Sequence, residues 1–246
     1  MTTPPLVQLQ QVSFSYPDGR QILGRIDMSI GYRQKIGLIG PNGSGKTTLL
    51  HLIMGLHRPA EGKLLFKGDE LTDKDGFRQL RRNIGLVFQD ADDQLFSATV
   101  LEDVAFGPLN LGKTPEEAIQ ISVTTLEKLG LGGLKDQVTH RLSGGEKKLV
   151  SIATVLSMQP EAILLDEPTN NLDPAIRERL IALLNKLDIS YLIISHDWDF
   201  LSATCTDLYT LNQGRVVHSG TERLHLHRHA HTCGEHPHDH RLCPEI

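Results

Sequence analysis

Gly40-Pro41-Asn42-Gly43-Ser44-Gly45-Lys46-Thr47 is the stretch on which the reading of this chain turns. It fits GxxxxGK[ST], a loop that cradles phosphates. A short apolar strand, Lys35 to Ile39, runs into it. Thr47 to Met54 reads as a helix leaving it and stopping at Gly55. Strand, glycine loop and helix in that order turn backbone N–H groups inward at the positive end of a helix. The run from Gly40 to Gly45 (Pro41, Asn42, Gly43 and Ser44 between them) then forms the cradle. Lys46 neutralises the β- and γ-phosphates, the Thr47 hydroxyl ligates Mg²⁺, and Thr48 extends the nucleotide-binding run. An ordinary glycine-rich turn is the bland alternative, and the flanking strand and helix count against it.

A nucleotide site needs a second, acidic element. Ile163-Leu164-Leu165-Asp166-Glu167 is an apolar strand delivering two acids at its end. Asp166 is the Mg²⁺ ligand of this reading, and Glu167 is placed to polarise the attacking water. Acids at strand ends are common, so the pair carries weight only beside the phosphate loop. One helix and one strand later, Tyr191 to Ile194 leads into Ser195-His196. A lone histidine there is usually structural; its place after the acids points His196 at the γ-phosphate.

Outward from these elements, the chain has 246 residues, 39% of them hydrophobic and 22% charged, which is globular composition with enough length for a sizeable core. The formal net charge of −5 excludes a nucleic-acid binder working by bulk charge. The longest uncharged apolar stretch, Leu149 to Pro160, is far short of the ~20 residues that span a bilayer. No signal-peptide pattern follows Met1, so a cytosolic chain is expected. Cys205, Cys233 and Cys243 do not make a disulfide framework.

Leu9, Val12, Phe14 and Tyr16 alternate as in a half-buried strand, closed by a Pro17-Asp18-Gly19 turn. Ile84 to Phe88, Leu208 to Leu211 and Arg215 to Val217 read as further strands. Thr114-Pro115-Glu116-Glu117 is a capping box opening a helix that Gly130 ends, and Asp173-Pro174 caps a helix running to about Lys186. Alternating strands and helices predict an α/β fold with a mostly parallel sheet covered on both faces. Residues 93–157 break the alternation, look mainly helical, and are expected to form an inserted subdomain. The folded domain is expected to span 1–220.

Leu142-Ser143-Gly144-Gly145-Glu146 precedes the acidic strand by one helix. It resembles the LSGGQ signature of ABC-type ATPases, P-loop proteins. The order of elements from Val7 to about Gly220 is similar to that family throughout. The resemblance implies an N-terminal antiparallel β subdomain and a helical subdomain inserted in the P-loop core. It implies that Tyr16 stacks on adenine and that Gln89 senses Mg²⁺ and the water. Ser143, Gly144, Gly145 and Glu146 would cap the γ-phosphate held by a partner copy. Asn171-Leu172-Asp173 would be the D-loop and His196 the switch histidine. ATP would lie between two copies, head to tail, so a homodimer is implied. Three positions depart from the ABC habit: Glu146 for Gln, Leu149 for a basic residue and Asn171 for a smaller one; Ala91 departs only from the narrower family below, where Pro is more frequent.

A narrower resemblance lies in Gln89-Asp90-Ala91-Asp92-Asp93-Gln94-Leu95-Phe96 and Glu102 to Gly112. It is similar to the ATPase subunits of energy-coupling-factor importers for vitamins or nickel and cobalt. This implies a transmembrane coupling subunit and a substrate-binding membrane subunit as partners, and a peripheral position on the cytoplasmic face of the membrane. Leu95 and Phe96 are apolar residues amid charge, where a partner's coupling helix would dock.

Residues 221–246 are a different kind of sequence, read as a flexible tail. His225, His227, His229, His231, His236, His238 and His240 recur at a period of two within two runs, so an extended segment sets each run on one side. Imidazole suits Ni²⁺, Co²⁺, Cu²⁺ or Zn²⁺ without distinguishing them cleanly. With the importer-like loop, the tail makes nickel the preferred cargo, narrowly ahead of cobalt, with Ni²⁺ buffered or sensed on the tail. The rivals are a vitamin importer's ATPase, a soluble ABC ATPase of DNA repair or translation, and a metal-storage protein.

Overall fold

The computed structural model describes residues 3–220. The tail histidines, Cys233 and Cys243 lie outside the described residues. Two sheets share the fold. In the first, β1 (Val7–Ser15) pairs antiparallel with β2 (Gln21–Ile30) and with β4 (Glu61–Phe66), and β4 with β5 (Asp69–Glu70), in the order β2-β1-β4-β5. In the second are β3 (Lys35–Ile39), β6 (Ile84–Val87), β7 (Ala162–Asp166), β8 (Ser190–Ile194), β9 (Asp207–Asn212) and β10 (Arg215–His218). Their order is β10-β9-β3-β8-β7-β6, parallel except for the β9–β10 hairpin. Strands β7 and β8 are buried along their whole length, which is why their sequences are near-continuous apolar runs.

Seven helices surround the sheets among the described residues: α1 (Lys46–Ile53), α2 (Lys74–Asn83), α3 (Val100–Asn110), α4 (Pro115–Lys128), α5 (Gly144–Leu156), α6 (Pro174–Lys186) and α7 (Trp198–Thr204). Side-chain caps set most of their starts. Thr99, Thr114 and Ser143 each close a capping box with a glutamate three residues on, and Asp73, Asp173 and Asp197 cap α2, α6 and α7. Between β6 and β7 the chain makes α3, α4 and α5 instead of one crossover helix. One apolar core joins the first sheet, α1 and one face of the second sheet; the other joins the opposite face to α3–α7.

Helix α2 and strand β2 are among the elements that escape a periodicity reading. Helix α2 buries only Phe77 and Leu80 among seven charged or amide side chains, so its apolar signal is thin. Strand β2 is masked by irregular pairing. Gln11 and Arg25 both sit at φ 51°, and the β1–β2 register shifts between Leu9 and Val12. Bulges of this kind break the period of two.

Candidate functional site

The phosphate loop closes where backbone leaves no room for side chains. Gly40 has φ 155°, and a Cβ there would lie 2.1 Å from the Leu211 carbonyl oxygen of β9. Gly45 has φ 102°, and a Cβ would meet Ile22 Cγ2 of β2 at 2.6 Å. Lys46 opens α1 and folds back over the loop. Its Nζ donates to the carbonyls of Gly40 (2.8 Å) and Pro41 (3.1 Å) and lies 3.4 Å from His196 Nε2. Burial lowers its pKa, and the charges of Glu167 and Asp166 oppose that shift.

The parallel pairing of β3, β8 and β7 brings the other ends to the same edge. Thr47 Oγ1 donates to Asp166 Oδ2 at 2.7 Å. This pair of hard oxygen donors beside the loop fits Mg²⁺. Glu167 is 7% exposed and held at φ 44°, rare for a side-chain-bearing residue, with its N–H bonded to the Ile194 carbonyl at 2.9 Å. Its Oε1 lies 3.3 Å from His196 Nε2. Burial pushes its carboxyl above the usual range, against the pull of His196 and Lys46.

A cleft of about 570 Å³ runs along these groups and is bordered by Tyr16, Asn42, Gly43, Gly45, Lys46, Thr47, Thr48, Gln89, Asp166, Glu167 and His196. The Tyr16 hydroxyl lies 3.1 Å from Thr48 Oγ1, and the Tyr16 ring packs edge-on against Phe14. Arg20, Ile22, Asn170 and Ile194 also border the cleft and were not singled out from sequence. Arg20 sits 5.6 Å from the Tyr16 ring centroid, placed there by the Pro17-Asp18-Gly19 turn, which was its only available signal.

The loop motifs divide between two clefts. Gln89, just past β6, borders the nucleotide cleft and an adjoining one of about 620 Å³ that reaches Gly144, Asn170 and Asn171. Ser44 faces away from the nucleotide cleft, its Oγ buried with no hydrogen-bond partner. Ser143, Gly145 and Glu146 border neither the nucleotide cleft nor the adjoining one; within one chain the fold does not bring them to Lys46. Ser143 caps α5: its Oγ accepts from the Glu146 N–H (3.3 Å) and donates to Glu146 Oε2 (2.8 Å), which also accepts from the Ser143 N–H (2.9 Å). Those bonds hold the Glu146 carboxyl below its ordinary range. A Cβ on Gly145 would lie 2.9 Å from Ile176 Cγ1. The departures from habit fit locally. Leu149 is buried in the second core, and Asn171 occupies φ 60°, which asparagine tolerates better than most residues. Ala91 begins a single 3₁₀ turn capped by Asp90.

The family model for ABC transporters matches residues 23–170. The chain belongs to the ABC transporter ATPases. A relative in Nitratidesulfovibrio vulgaris, named as an ABC transporter ATP-binding protein, is 52% identical over 97% of this chain and 88% of its own. The energy-coupling factor transporter ATP-binding protein EcfA of Methanothermobacter thermautotrophicus is 42% identical over 88% of this chain and 71% of its own. Among solved structures, cbiO1 from Clostridium perfringens, part of the ABC transporter complex cbiONQ, has a TM-score of 0.78 at 37% identity, covering 87% of both chains. The dimeric cassette MJ0796 bound to ADP and Pi has a TM-score of 0.78 at 28% identity, covering 87% of this chain and 98% of its own. The protein is therefore an energy-coupling-factor type ABC ATPase that binds and hydrolyses ATP. Among the described residues, no helix is long and apolar enough to cross a membrane, and no three His, Cys, Asp or Glu side chains cluster as a metal site.

Proposed function

We propose that this ATPase drives an importer of the energy-coupling-factor type from the cytoplasmic face of the membrane, with nickel, then cobalt, as the cargo. The observation carrying the importer reading is an exposed apolar patch just past Gln89. Phe96 and Phe106 are 67% and 47% exposed and meet edge to face at 4.8 Å, with Leu109, 43% exposed, on the same helix α3 as Phe106, whereas Leu95, expected beside Phe96 at the dock, is buried in the second core. Apolar side chains grouped on a charged surface fit a partner's coupling helix. The names of the EcfA relative, an energy-coupling factor transporter protein, and of the cbiO1 neighbour, part of a transporter complex, support work within an assembly; the proposed partners here are a transmembrane coupling subunit and a substrate-binding membrane subunit.

The site residues take these roles. Lys46 leaves its carbonyl partners to neutralise the transferring phosphoryl group. Thr47 and Asp166 would hold Mg²⁺, which neutralises phosphate charge when bound. Glu167 aligns the attacking water, and His196 holds Glu167 and Lys46 in register. Tyr16 stacks on adenine. Ser143, Gly144 and Gly145 of a second copy cap the γ-phosphate, which is why they lie apart from Lys46 in one chain. Closure on ATP and reopening after hydrolysis then move the patch at Phe96. Residues 1–220 act as the ATPase unit with 93–157 as its helical insertion.

The cargo reading rests on the histidines of 221–246, which favour nickel over a vitamin. Co-expression with its membrane partners and measurement of ⁶³Ni²⁺ uptake tests it. Uptake abolished by Glu167→Gln supports nickel; ATP-dependent vitamin uptake with no metal uptake gives the rival. Ending the chain after Gly220 is expected to spare ATP hydrolysis and to weaken Ni²⁺ binding by calorimetry.

A further inference from the structure

Lys148 is 4% exposed, yet among the described residues its ammonium contacts carbonyls and no carboxylate. It lies five residues past Ser143 on α5 and reaches across to the end of β6. There Nζ donates to the carbonyls of Phe88 (3.0 Å) and Gln89 (2.6 Å). Its neighbour Lys147 does the opposite, pairing at the surface with Asp92 at 2.6 Å. Burial lowers the Lys148 pKa, while the charges of Asp90 and Asp166 oppose the shift.

Gln94 closes the same joint from the other side. Its Oε1 accepts the Phe88 N–H at 3.1 Å. Its Nε2 donates to the Ser151 carbonyl (2.7 Å) and Thr154 Oγ1 (2.8 Å), both on α5. The N–H and C=O of Phe88 and the C=O of Gln89 thus all end, directly or through Gln94, on one helix. The Gln89 side chain itself stays exposed between the two clefts. A buried ammonium is costly, and an apolar residue or amide would fill this space at lower desolvation cost. What the cation adds is a strong, two-pronged bond on the backbone of the loop after β6.

We propose that Lys148 is a positioning residue for hydrolysis, tying the backbone of Gln89 to the helix that Ser143 opens, so that Gln89 enters the nucleotide cleft in step with that helix. The proposal rests on the reading of Gln89 as the residue that meets Mg²⁺ and the attacking water. Lys148 does not border the nucleotide cleft; it acts through Gln89. When a second copy seats its phosphate on Ser143, α5 shifts as a body and carries the Gln89 backbone with it. ATP held without that seating leaves Gln89 out of position, so hydrolysis waits on the dimer.

The test is a double-mutant cycle on the full-length chain, reading MgATP turnover and thermal melting. Lys148→Met is expected to lower kcat by about tenfold or more while KM stays within about twofold. Lys148→Arg, which keeps cation and donors, is expected to recover most of that loss. In a Gln89→Ala background the same Lys148→Met change is expected to cost less than about twofold, because the two act as one unit. Equal losses in both backgrounds, or a Lys148→Met kcat within about twofold of the parent, overturn the proposal. If Gln89→Ala alone leaves kcat intact, it is the underlying role of Gln89 that falls. Should the methionine variant melt out, Lys148→Gln, a shorter neutral donor, enters the same cycle with the same expectations.

Discussion

In the proposed mechanism Glu167 is the base, and an unusual backbone places it. At φ 44° its carboxylate swings off the end of β7 toward His196 instead of continuing the strand. Replacing it with glutamine keeps shape and removes the base. Glu167→Gln is expected to lower kcat by about 10²-fold or more while ATP still binds, so single-turnover hydrolysis falls and nucleotide affinity holds. Gly40 is constrained differently, by the Leu211 carbonyl 2.1 Å from where a Cβ would sit. Gly40→Ala therefore displaces either β9 or the loop. The expected result is lost binding of a fluorescent ATP analogue together with a lower melting temperature. These two residues were legible from sequence because their chemistry depends on the local pattern: a glycine that must turn, an acid that ends an apolar run. Lys148 was not legible, since a lysine on a helix reads as solvent-facing until the fold places carbonyls against it.

At the scale of elements, the joint between α6 and α7 shows how the His196 segment is steadied. Arg177 of α6 donates to Asp197 Oδ2 and Oδ1 at 2.7 and 2.9 Å, and Asp197 Oδ1 also caps α7 through the Phe200 N–H at 2.9 Å. Burial works to raise the Asp197 pKa, but the bonds from Arg177 and Phe200 prevail and hold it below the ordinary value. A depressed carboxyl pKa contributes stability above the unfolded value of about 3.9 and loses it as pH falls through the folded value. Asp197→Asn is expected to cost about 1–2 kcal/mol at neutral pH, discounted for partial exposure, and almost nothing once Asp197 is protonated in the parent. Chemical denaturation at neutral pH and well below pH 3.9 checks this; a cost independent of pH would refute the ion-pair account. Helices α4 and α6 were readable because Thr114-Pro115 and Asp173-Pro174 announce their starts. Helix α2 and strand β2 were not, because one has few apolar residues and the other is bulged.

The whole molecule leaves Ser143 and Lys46 in different places and puts Phe96 and Phe106 at the surface. Both facts fit the proposed assembly, in which a second copy brings its Ser143 to Lys46 and a membrane subunit covers the phenylalanines. Phe96→Ser with Phe106→Ser is expected to leave basal ATP turnover within about twofold, because neither borders the nucleotide cleft. The same double variant is expected to lose co-purification with the membrane subunits. Retained co-purification would move the docking site elsewhere. The acidic buried Asp103 supports that surface from beneath, accepting from the N–H groups of Phe96 (3.1 Å) and Ser97 (2.9 Å) and from Thr139 Oγ1 (3.0 Å), so the exposed phenylalanine sits on a fixed loop.

The sequence by itself determined the phosphate loop, the acidic strand end and the capped starts of α4 and α6, because each is encoded in residues close along the chain. Only the tertiary structure decided which ends meet: that the parallel register of β3, β8 and β7 sets Lys46, His196 and Glu167 side by side, and that α5 grips Gln89 through a buried cation. Those contacts join residues far apart in the chain, and no local period or motif carries them. They arise when the apolar strands pack and withdraw the charged groups between them from water.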